Sequence, residues 1–274
     1  YLDNTYETEV TASTVFNSST VIIAKWDELD DITITFDADG GSVTPTSRTI
    51  RPESAIGELP IPEKTNYNFV GWYLDNTYET EVTASTTFDS STSIVAKWVD
   101  ESYVACIETE CYKTLAAAVA DVPTTNTKTV IKAICDISQS TAIEIASGKN
   151  IELDLQNFTV TNPSTKMFIN KGTLYIKNGS LIGTGTEVNK AFLINNEKNA
   201  TLNISGGFIN ATGTNTIVNA GNVDITGGRI EANSQSAAIN NNQYGVMTVS
   251  GGEIVGTFTT KGQAIYNDKG TLTV

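Results

Sequence analysis

The C-terminal part of the chain repeats one short pattern of alternating apolar residues punctuated by glycine. The punctuation consists of Asn178-Gly179, Gly206-Gly207, Gly227-Gly228 and Gly251-Gly252. Each pair follows alternating apolar residues and precedes another apolar stretch. Self-similarity of this kind is the signature of a solenoid, in which every repeat covers the hydrophobic face of its neighbour. The pattern therefore predicts an architecture, although it indicates no reaction.

Aligning the glycine pairs places three apolar columns in register. The first column has a mostly polar residue between two apolar ones: Leu153-Asp154-Leu155, Leu174-Tyr175-Ile176, Leu202-Asn203-Ile204, Val223-Asp224-Ile225, Met247-Thr248-Val249 and Leu272-Thr273-Val274. The second column follows the glycines: Val160, Leu181, Ile209, Ile230 and Ile254. The third column precedes each coil: Phe168, Leu193, Ile217, Ile239 and Ile265. Because a period of two is that of a strand with one inward face, three columns per coil predict a three-faced parallel solenoid.

An asparagine follows the third column by two residues in each of these coils. These asparagines are Asn170, Asn195, Asn219, Asn241 and Asn267. Amides at equivalent corners can hydrogen-bond to one another and to the turning backbone, as a structural ladder. The alternative is a role in sugar binding or glycosylation, since Asn199-Ala200-Thr201 and Asn210-Ala211-Thr212 are sequons. The regular spacing favours the ladder.

One short helix is predicted ahead of the solenoid. Thr114 is suited to the N-cap position, the apolar run 115–120 follows it, and Pro123 ends the helical pattern. A solenoid needs the open edge and apolar interior of its first coil covered. We therefore interpret the helix as an N-terminal cap.

The three cysteines lie close to this helix in the sequence. Cys106 and Cys111 flank a four-residue loop, so they can face each other and form a disulfide in an oxidising compartment. Cys135 is then expected to remain an unpaired, buried thiol.

The N-terminal part contains a duplicated segment. Residues 1–26 return as residues 73–98 and differ only at Val15/Thr87, Asn17/Asp89, Val21/Ser93 and Ile23/Val95. Such near-identity predicts tandem modules. We expect the C-terminal part of a truncated module in residues 1–27, a complete module in 31–99 and the solenoid in 100–274, continuing beyond residue 274.

Three motifs of the complete module carry a family resemblance. FDADGGSVTP, YNFVGWYLD and IVAKW occur in this order, and residues 31–98 that contain them resemble the Listeria-Bacteroides repeat, also called the internalin B-repeat. The resemblance implies a β-grasp-like module used in arrays as a spacer or adhesive unit of bacterial surface proteins. The usual Asn of the turn is Asp39 here.

Asp37 and Asp39 have the spacing of two calcium ligands, but the remaining ligands of a calcium loop are missing, so we expect a hairpin turn.

The solenoid pattern carries a second resemblance. Residues 114–274 look like the right-handed parallel β-helix of the pectate-lyase-like superfamily, in the degenerate form common in large bacterial surface proteins. That fold occurs in lyases, hydrolases, tailspikes and adhesins. The expected fold class is all-β, with β-grasp-like repeat modules and a right-handed parallel β-helix that has a short N-terminal capping helix.

Composition argues against several functions. The 17 Lys and Arg against 31 Asp and Glu give a formal net charge of −14, which repels phosphate backbones and anionic membrane surfaces. The sequence has no histidine, the commonest general base and a favoured zinc ligand. We therefore expect no nucleic-acid partner, no membrane insertion of this segment, no cofactor, no metal and no catalysis.

The outward-facing positions of the solenoid are the candidates for catalysis and binding. A glycosidase needs two carboxylates roughly 5 to 10 Å apart, whereas the predicted outward column that contains Asp154 and Asp224 separates its acids by three coils. Arg229 lies between Glu231 and Glu253, which predicts a surface ion pair. The larger outward side chains, suited to stacking on sugars or proteins, are Tyr175, Lys177, Phe208 and Tyr244.

These observations favour one function over two alternatives. We expect a fragment of a secreted or cell-wall-attached bacterial surface protein, acting as an adhesin or as a stalk for display, without catalysis. Its partners would be host or matrix glycans or proteins, or other copies of the surface protein. The alternatives are a carbohydrate-active β-helix enzyme, either a polysaccharide lyase or a glycoside hydrolase, and a structural unit of an extracellular fibre.

Overall fold

The computed structural model describes residues 1–2, 4–163, 166–185, 192–233, 237–257 and 262–274. Within these ranges the chain forms 26 β-strands and one short α-helix. The predicted all-β fold with a single helix is confirmed. No helix in the described ranges has the length and apolar character needed to cross a membrane.

Five strands form the sheet of the N-terminal unit, which we call the repeat module. They are β1 (Ile32–Asp37), β2 (Ser47–Ile50), β3 (Tyr67–Tyr73), β4 (Glu81–Val82) and β5 (Thr92–Asp100). The strand order is β2-β1-β5-β3-β4, with β5 parallel to β1 and antiparallel to β3. The first and last strands thus pair in parallel at the centre of the sheet. This gives the mixed sheet that is expected of a β-grasp-like module.

The core of the repeat module follows from alternation along its strands. In β1, Ile32, Ile34 and Phe36 point inward and the residues between them are exposed. They pack with Trp72 and Ile94, and burial of each such side chain stabilises the fold by about 1.5–3 kcal/mol. The proline-rich connection is tied to this core, because Nε1 of Trp72 donates a hydrogen bond of 2.8 Å to the carbonyl oxygen of residue 60.

The duplicated segment at the N-terminus does not repeat this structure. Among its described residues, 1–2 and 4–26, no strand forms. Ile22 is 56% exposed, whereas its counterpart Ile94 in β5 is fully buried. The physical reason is that β1 and β3, which flank β5, are already paired with it, so the copy has no sheet to join.

The remaining elements form the second unit, which we call the solenoid. In chain order they are β6 (Ala105–Ile107), β7 (Glu110–Tyr112), α1 (Leu115–Asp121), β8 (Lys128–Ala133), β9 (Ile137–Ser138), β10 (Ile143–Ile145), β11 (Asn150–Asp154), β12 (Thr159–Asn162), β13 (Phe168–Asn170), β14 (Thr173–Lys177), β15 (Ser180–Gly183), β16 (Phe192–Asn196), β17 (Thr201–Ile204), β18 (Phe208–Thr212), β19 (Asn215–Asn219), β20 (Asn222–Ile225), β21 (Arg229–Asn233), β22 (Ala237–Asn241), β23 (Val246–Val249), β24 (Glu253–Gly256), β25 (Gln263–Asn267) and β26 (Thr271–Thr273).

Each coil contributes one strand to each of three sheets. The first sheet runs from β8 through β11, β14, β17, β20 and β23 to β26, and the β6-β7 hairpin extends it beyond β8. The second sheet runs from β9 to β24 and the third from β10 to β25. Pairing between successive coils is parallel throughout the described residues. The predicted parallel solenoid with three faces is confirmed.

The second apolar column is also confirmed. Val160, Leu181, Ile209, Ile230 and Ile254 are direct cross-strand neighbours along the second sheet. Except for the partly buried residue of the last strand, each is at most 1% exposed. The column therefore forms a continuous wall of the interior.

The first column needs a correction at its first coil. Leu153 pairs with Ile176, so the outward position beside Tyr175 belongs to Glu152, and Asp154 pairs with Lys177 instead. The predicted alignment is wrong because the turn after β11 contains four residues, 155–158, whereas the turn after β14 contains only Asn178 and Gly179. An alignment of the coils by their turns therefore places the strand of the first coil out of register with the next one.

The third column needs a smaller correction. Phe168 pairs with Ile194, which pairs in turn with Ile217, so the predicted member Leu193 is one residue out of register. Both Leu193 and Ile194 are fully buried. Two successive inward side chains break the period of two, and the sequence pattern cannot then distinguish between them.

The helix α1 caps the first coil as predicted. Oγ1 of Thr114 accepts a hydrogen bond of 3.0 Å from the backbone nitrogen of Ala117, which is N-cap geometry. Leu115, Ala118 and Val119 are buried and belong to the solenoid core. The helix thus covers the apolar interior that the first coil would otherwise expose.

A buried lysine completes the other end of this helix. Lys149 is only 8% exposed. Its Nζ donates hydrogen bonds of 2.7, 2.8 and 2.6 Å to the carbonyl oxygens of Val119, Ala120 and Val122. These carbonyls carry the negative end of the helix dipole and lack intrahelical partners. The ammonium group therefore satisfies several buried acceptors at once.

Replacing Lys149 with methionine is expected to lower the free energy of unfolding by about 2–4 kcal/mol, because it leaves buried carbonyl oxygens without donors. Urea unfolding followed by circular dichroism measures this change. Lys171→Met is the control, since the ion pair of Lys171 with Glu144 at 2.7 Å is exposed to solvent and its loss should change stability little. Equal destabilisation by both substitutions would contradict the capping role of Lys149.

Candidate binding cleft

The repeat module and the solenoid share a small buried cluster where they meet. β5 ends at Asp100, and β6 begins only a few residues later. Val70 of the repeat module packs with Cys106 and Ile134 of the solenoid, and all three are at most 4% exposed. Burial of these side chains from both units makes the joint a packed contact.

Polar contacts add to the joint. Nδ2 of Asn68 donates a hydrogen bond of 2.9 Å to the carbonyl oxygen of Tyr103. Nζ of Lys97 donates one of 3.1 Å to the carbonyl oxygen of Thr109. Lys132 of β8 forms an ion pair with Glu81 of β4. These contacts hold the two units in a fixed relation on more than one side of the cluster.

The cysteines lie at this joint. Cys106 and Cys111 form a disulfide between β6 and β7, at the positions that the sequence predicted. Cys135 is a free, partly buried thiol, and burial raises its pKa. A thiol with a raised pKa is a poor nucleophile at neutral pH. The cysteines therefore stabilise the joint and supply no reactive group.

A cleft of about 930 Å³ opens beside the joint. Its module side consists of the connection 58–64 and β3, and its solenoid side of β8 and the turn 154–158. Ile61, Tyr67 and Val130 line it and are 75%, 45% and 44% exposed. Ligand pockets have volumes of roughly 300–1,000 Å³ and mostly apolar walls, so this cleft is of a suitable size and character.

The charged residues of the cleft are mainly acidic. The acids are Glu58, Glu63, Glu81, Asp136 and Asp154, and the bases are Lys64 and Lys132. Five negative against two positive side chains give the cleft a formal charge of −3. Lys64 is partly engaged, because its Nζ lies 4.9 Å from the ring centroid of Tyr67 and 5.7 Å from that of Trp98. The cleft therefore favours cations over anions.

The structure does not bring the predicted ligand-contact residues together. Tyr175 and Lys177 lie on the first sheet, Phe208 on the second, and Tyr244 in the turn before β23. Lys177 is engaged in ion pairs with Glu152 at 2.7 Å and Asp154 at 3.2 Å. Tyr175 and Lys177 share the outer face of β14, but Phe208 and Tyr244 lie elsewhere, so the four residues do not form one surface.

The asparagine ladder runs along the inside of one corner. Its members are Asn170, Asn196, Asn219, Asn241 and Asn267, and each Nδ2 donates to the next Oδ1 at 2.7–2.8 Å. The prediction of Asn195 as a member is wrong. Its neighbour Asn196 occupies this position, because the one-residue shift in register that affects Leu193 applies here too. Asn170, Asn196, Asn219 and Asn241 are fully buried, and only Asn267 in the last described coil is exposed, so the ladder is a structural element of the interior.

Several carboxylates of the outer faces are paired with cations. Arg229 contacts Glu231 at 2.8 Å and also pairs with Glu253. Burial opposes ionisation of Glu152, but hydrogen bonds from Lys128 and Lys177 outweigh it and lower the pKa of this carboxyl group. A general acid of a glycosidase needs a raised pKa. Glu152 therefore lacks the raised pKa of a general acid, and Glu231 and Glu253 are engaged in ion pairs with Arg229.

No group of three or more His, Cys, Asp or Glu suited to a metal ion occurs among the described residues. At the hairpin turn of the repeat module, Oδ1 of Asp37 accepts a hydrogen bond of 2.9 Å from the backbone nitrogen of Asp39. This is the local bond expected of a turn aspartate.

Comparison with known proteins identifies one part of the chain. The family model of the Listeria-Bacteroides repeat domain matches residues 33–97, which include nearly all of β1 to β5. No curated protein and no solved structure matches the chain. The chain thus contains a Listeria-Bacteroides repeat domain followed by a β-solenoid.

Proposed function

We propose that the chain is a display unit of a secreted or cell-wall-attached bacterial surface protein, in which it acts as an adhesin or stalk and binds a ligand without catalysis. The joint carries this proposal. Because Val70, Cys106 and Ile134 form one buried cluster, the repeat module and the solenoid together shape a cleft that neither forms alone. A binding function explains why two scaffold units are packed against each other in this way.

An extracellular location is part of the proposal. Repeats of the matched family are typical of bacterial surface proteins, and the disulfide between Cys106 and Cys111 suits an oxidising compartment. We also assign the solenoid to the pectate-lyase-like class of right-handed β-helices. Three parallel sheets and an internal asparagine ladder support that assignment.

The absence of catalysis is proposed from the state of the carboxylates. Glu152 and Arg229 lie in ion-pair networks on the outer faces, and the pKa of Glu152 is lowered. Such groups are suited to stabilising the surface and are poor proton donors. Their engagement in ion pairs disfavours the alternative of a polysaccharide lyase or glycoside hydrolase.

The purified chain is expected to bind immobilised host glycans or matrix proteins saturably and to release no product from polysaccharides. Surface plasmon resonance measures the binding, and assays for reducing ends and for unsaturated uronates measure turnover. Product formation would replace the proposal with an enzyme. End-to-end association in light scattering, without ligand binding, would replace it with a fibre unit.

A matched pair of variants locates the binding. Tyr67 lies in the cleft and Tyr266 near the far end of the solenoid, and they are 45% and 46% exposed. Tyr67→Ser is expected to weaken binding at least fivefold and Tyr266→Ser to leave it unchanged, since only the first removes a side chain from the wall of the cleft. The reverse result would show that the ligand binds outside the cleft.

A further inference from the structure

We infer that the cleft binds an extended peptide segment with basic and apolar side chains, which adds as a strand to an incompletely paired strand of the cleft wall. This inference rests on the proposed binding function and specifies the partner of the same site. It is carried by the strand pairing on both sides of the cleft together with the charge of its lining.

The solenoid side of the cleft contains a strand that is paired along only part of one edge. β8 pairs with β11 over Lys128 to Lys132. On its other edge, β6 pairs only with Lys132 and Ala133. Residues 128–131 therefore have one neighbouring strand, not two, within the described part of the chain. Val130 of this segment lies in the cleft wall.

The module side contains a second such strand. β3 pairs with β5 from Tyr67 to Tyr73, whereas β4 pairs only with Trp72 and Tyr73. Residues 67–69 thus also have a strand on one side only among the described residues and line the cleft, whereas Val70, at the bulge in the pairing with β5, and Gly71 are buried. An unpaired strand edge presents backbone donors and acceptors that an incoming strand can satisfy. The cleft is therefore bordered by the open edge of β3 at residues 67–69, and Val130 of the incompletely paired β8 segment contributes to its opposite wall.

The side chains of the cleft determine which peptide fits. Successive residues of an added strand point to opposite sides, so apolar walls at Ile61 and Val130 accept one set of side chains. Glu58, Glu63 and Asp136 form no ion pair with any described Lys or Arg, and they attract basic side chains of the other set. The net charge of −14 further favours the approach of a cationic partner.

The aromatic residues argue against a glycan in the cleft. Sugars bind by stacking on open aromatic faces. The faces of Tyr67 and Trp98 are approached by the ammonium group of Lys64, at 4.9 and 5.7 Å from the ring centroids. The strand edges have no corresponding occupant among the described residues. The groups of the cleft that remain available are therefore backbone donors and acceptors, which are suited to binding a peptide backbone.

Synthetic peptides test the inference with the full chain. The probe is a capped heptapeptide of alternating Lys and Val, and isothermal titration calorimetry gives its affinity. We expect saturable binding that weakens with added salt. A peptide with Glu in place of Lys is expected to bind at least tenfold more weakly, and methylation of alternate backbone nitrogens to reduce affinity at least tenfold.

Two valines of the first sheet provide a matched control. Val130 and Val246 are 44% and 45% exposed, but only Val130 lies in the cleft. Val130→Lys is expected to weaken peptide binding at least tenfold, since it adds a positive charge and removes an apolar contact, and Val246→Lys to leave affinity unchanged. Because both positions are exposed, circular dichroism of both variants should match that of the parent chain.

Several results would overturn the inference. Equal affinity for the Lys and Glu peptides would exclude charge recognition, and insensitivity to backbone methylation would exclude strand addition. Neutral oligosaccharides that bind in a Val130-dependent manner, when the Lys peptide does not bind, would identify a glycan site instead. If matrix binding still depends on Tyr67 but no peptide binds, the inference fails while the proposed adhesive function stands.

Discussion

Replacing Asn219 with leucine is expected to lower the free energy of unfolding of the solenoid by about 3–5 kcal/mol. Asn219 is fully buried in the ladder. Its Oδ1 accepts hydrogen bonds from Nδ2 of Asn196 at 2.8 Å and from the backbone nitrogen of Gly221 at 3.0 Å, and its Nδ2 donates to Oδ1 of Asn241 at 2.8 Å. Leucine would leave these buried partners unsatisfied, at about 1–3 kcal/mol each.

Urea unfolding measures the loss, and hydrogen exchange shows where it occurs. Because each coil contacts only its neighbours, protection should fall most in the coils that contain Asn196 and Asn241. The control is Asn240→Leu, at the position before Asn241. The Oδ1 atom of Asn240 is buried and has no hydrogen-bond partner among the described residues. That substitution removes no hydrogen bond from Oδ1, so we expect a change within about 1 kcal/mol. Comparable losses in the two variants would show that the ladder contributes nothing specific.

Replacing Gly207 with alanine is expected to cost about 3–5 kcal/mol. The φ angle of Gly207 is +84°, in the left-handed region where a Cβ atom costs about 1–2 kcal/mol. A Cβ atom there would also overlap the carbonyl oxygen of Asn178 and lie 2.9 Å from that of Gly179. The coils cannot separate to relieve this, because the nitrogen of Phe208 donates a hydrogen bond of 2.9 Å to the oxygen of Gly179.

The adjacent glycine is a control within the same turn. A Cβ atom on Gly206 would have its nearest contact at 3.6 Å, with the backbone nitrogen of Asn178. Gly206 also does not have a positive φ angle. Gly206→Ala is therefore expected to change stability by no more than about 1 kcal/mol. Thermal and urea unfolding of both variants provide the comparison. A destabilised Gly206→Ala variant beside an unaffected Gly207→Ala variant would refute the steric argument.

The sequence predicted the solenoid well where its alternation is strict. In β12, β15, β18 and β21 the inward residues of the second column alternate with less buried ones, and the pairing from Val160 to Ile254 is as predicted. The first and third columns failed at one coil each, for two physical causes. A longer turn displaced Leu153, and the consecutive buried pair Leu193 and Ile194 removed the alternation on which the alignment depends.

The candidate cleft could not be predicted from the sequence. Most of its walls come from residues 58–84 and 130–158, which are far apart in the sequence. In addition, the local pattern of apolar residues does not show which strand edges lack a pairing partner. A usable signal was Val130, an apolar residue at an outward position of β8. Lys149 was equally hidden, since nothing in its neighbourhood in the sequence indicates a buried ammonium group that binds the end of a helix.

The register of the solenoid has a consequence for the length of the molecule. Every coil places the same columns over those of the previous coil, so one whole coil can be added or removed while all three sheets stay continuous. Each such change alters the reach by about 4.8 Å. The number of coils thus works as a ruler that sets the distance between the cleft and the far end of the solenoid. Duplication, which the near-identical segments 1–26 and 73–98 show in this chain, would adjust that distance in fixed steps.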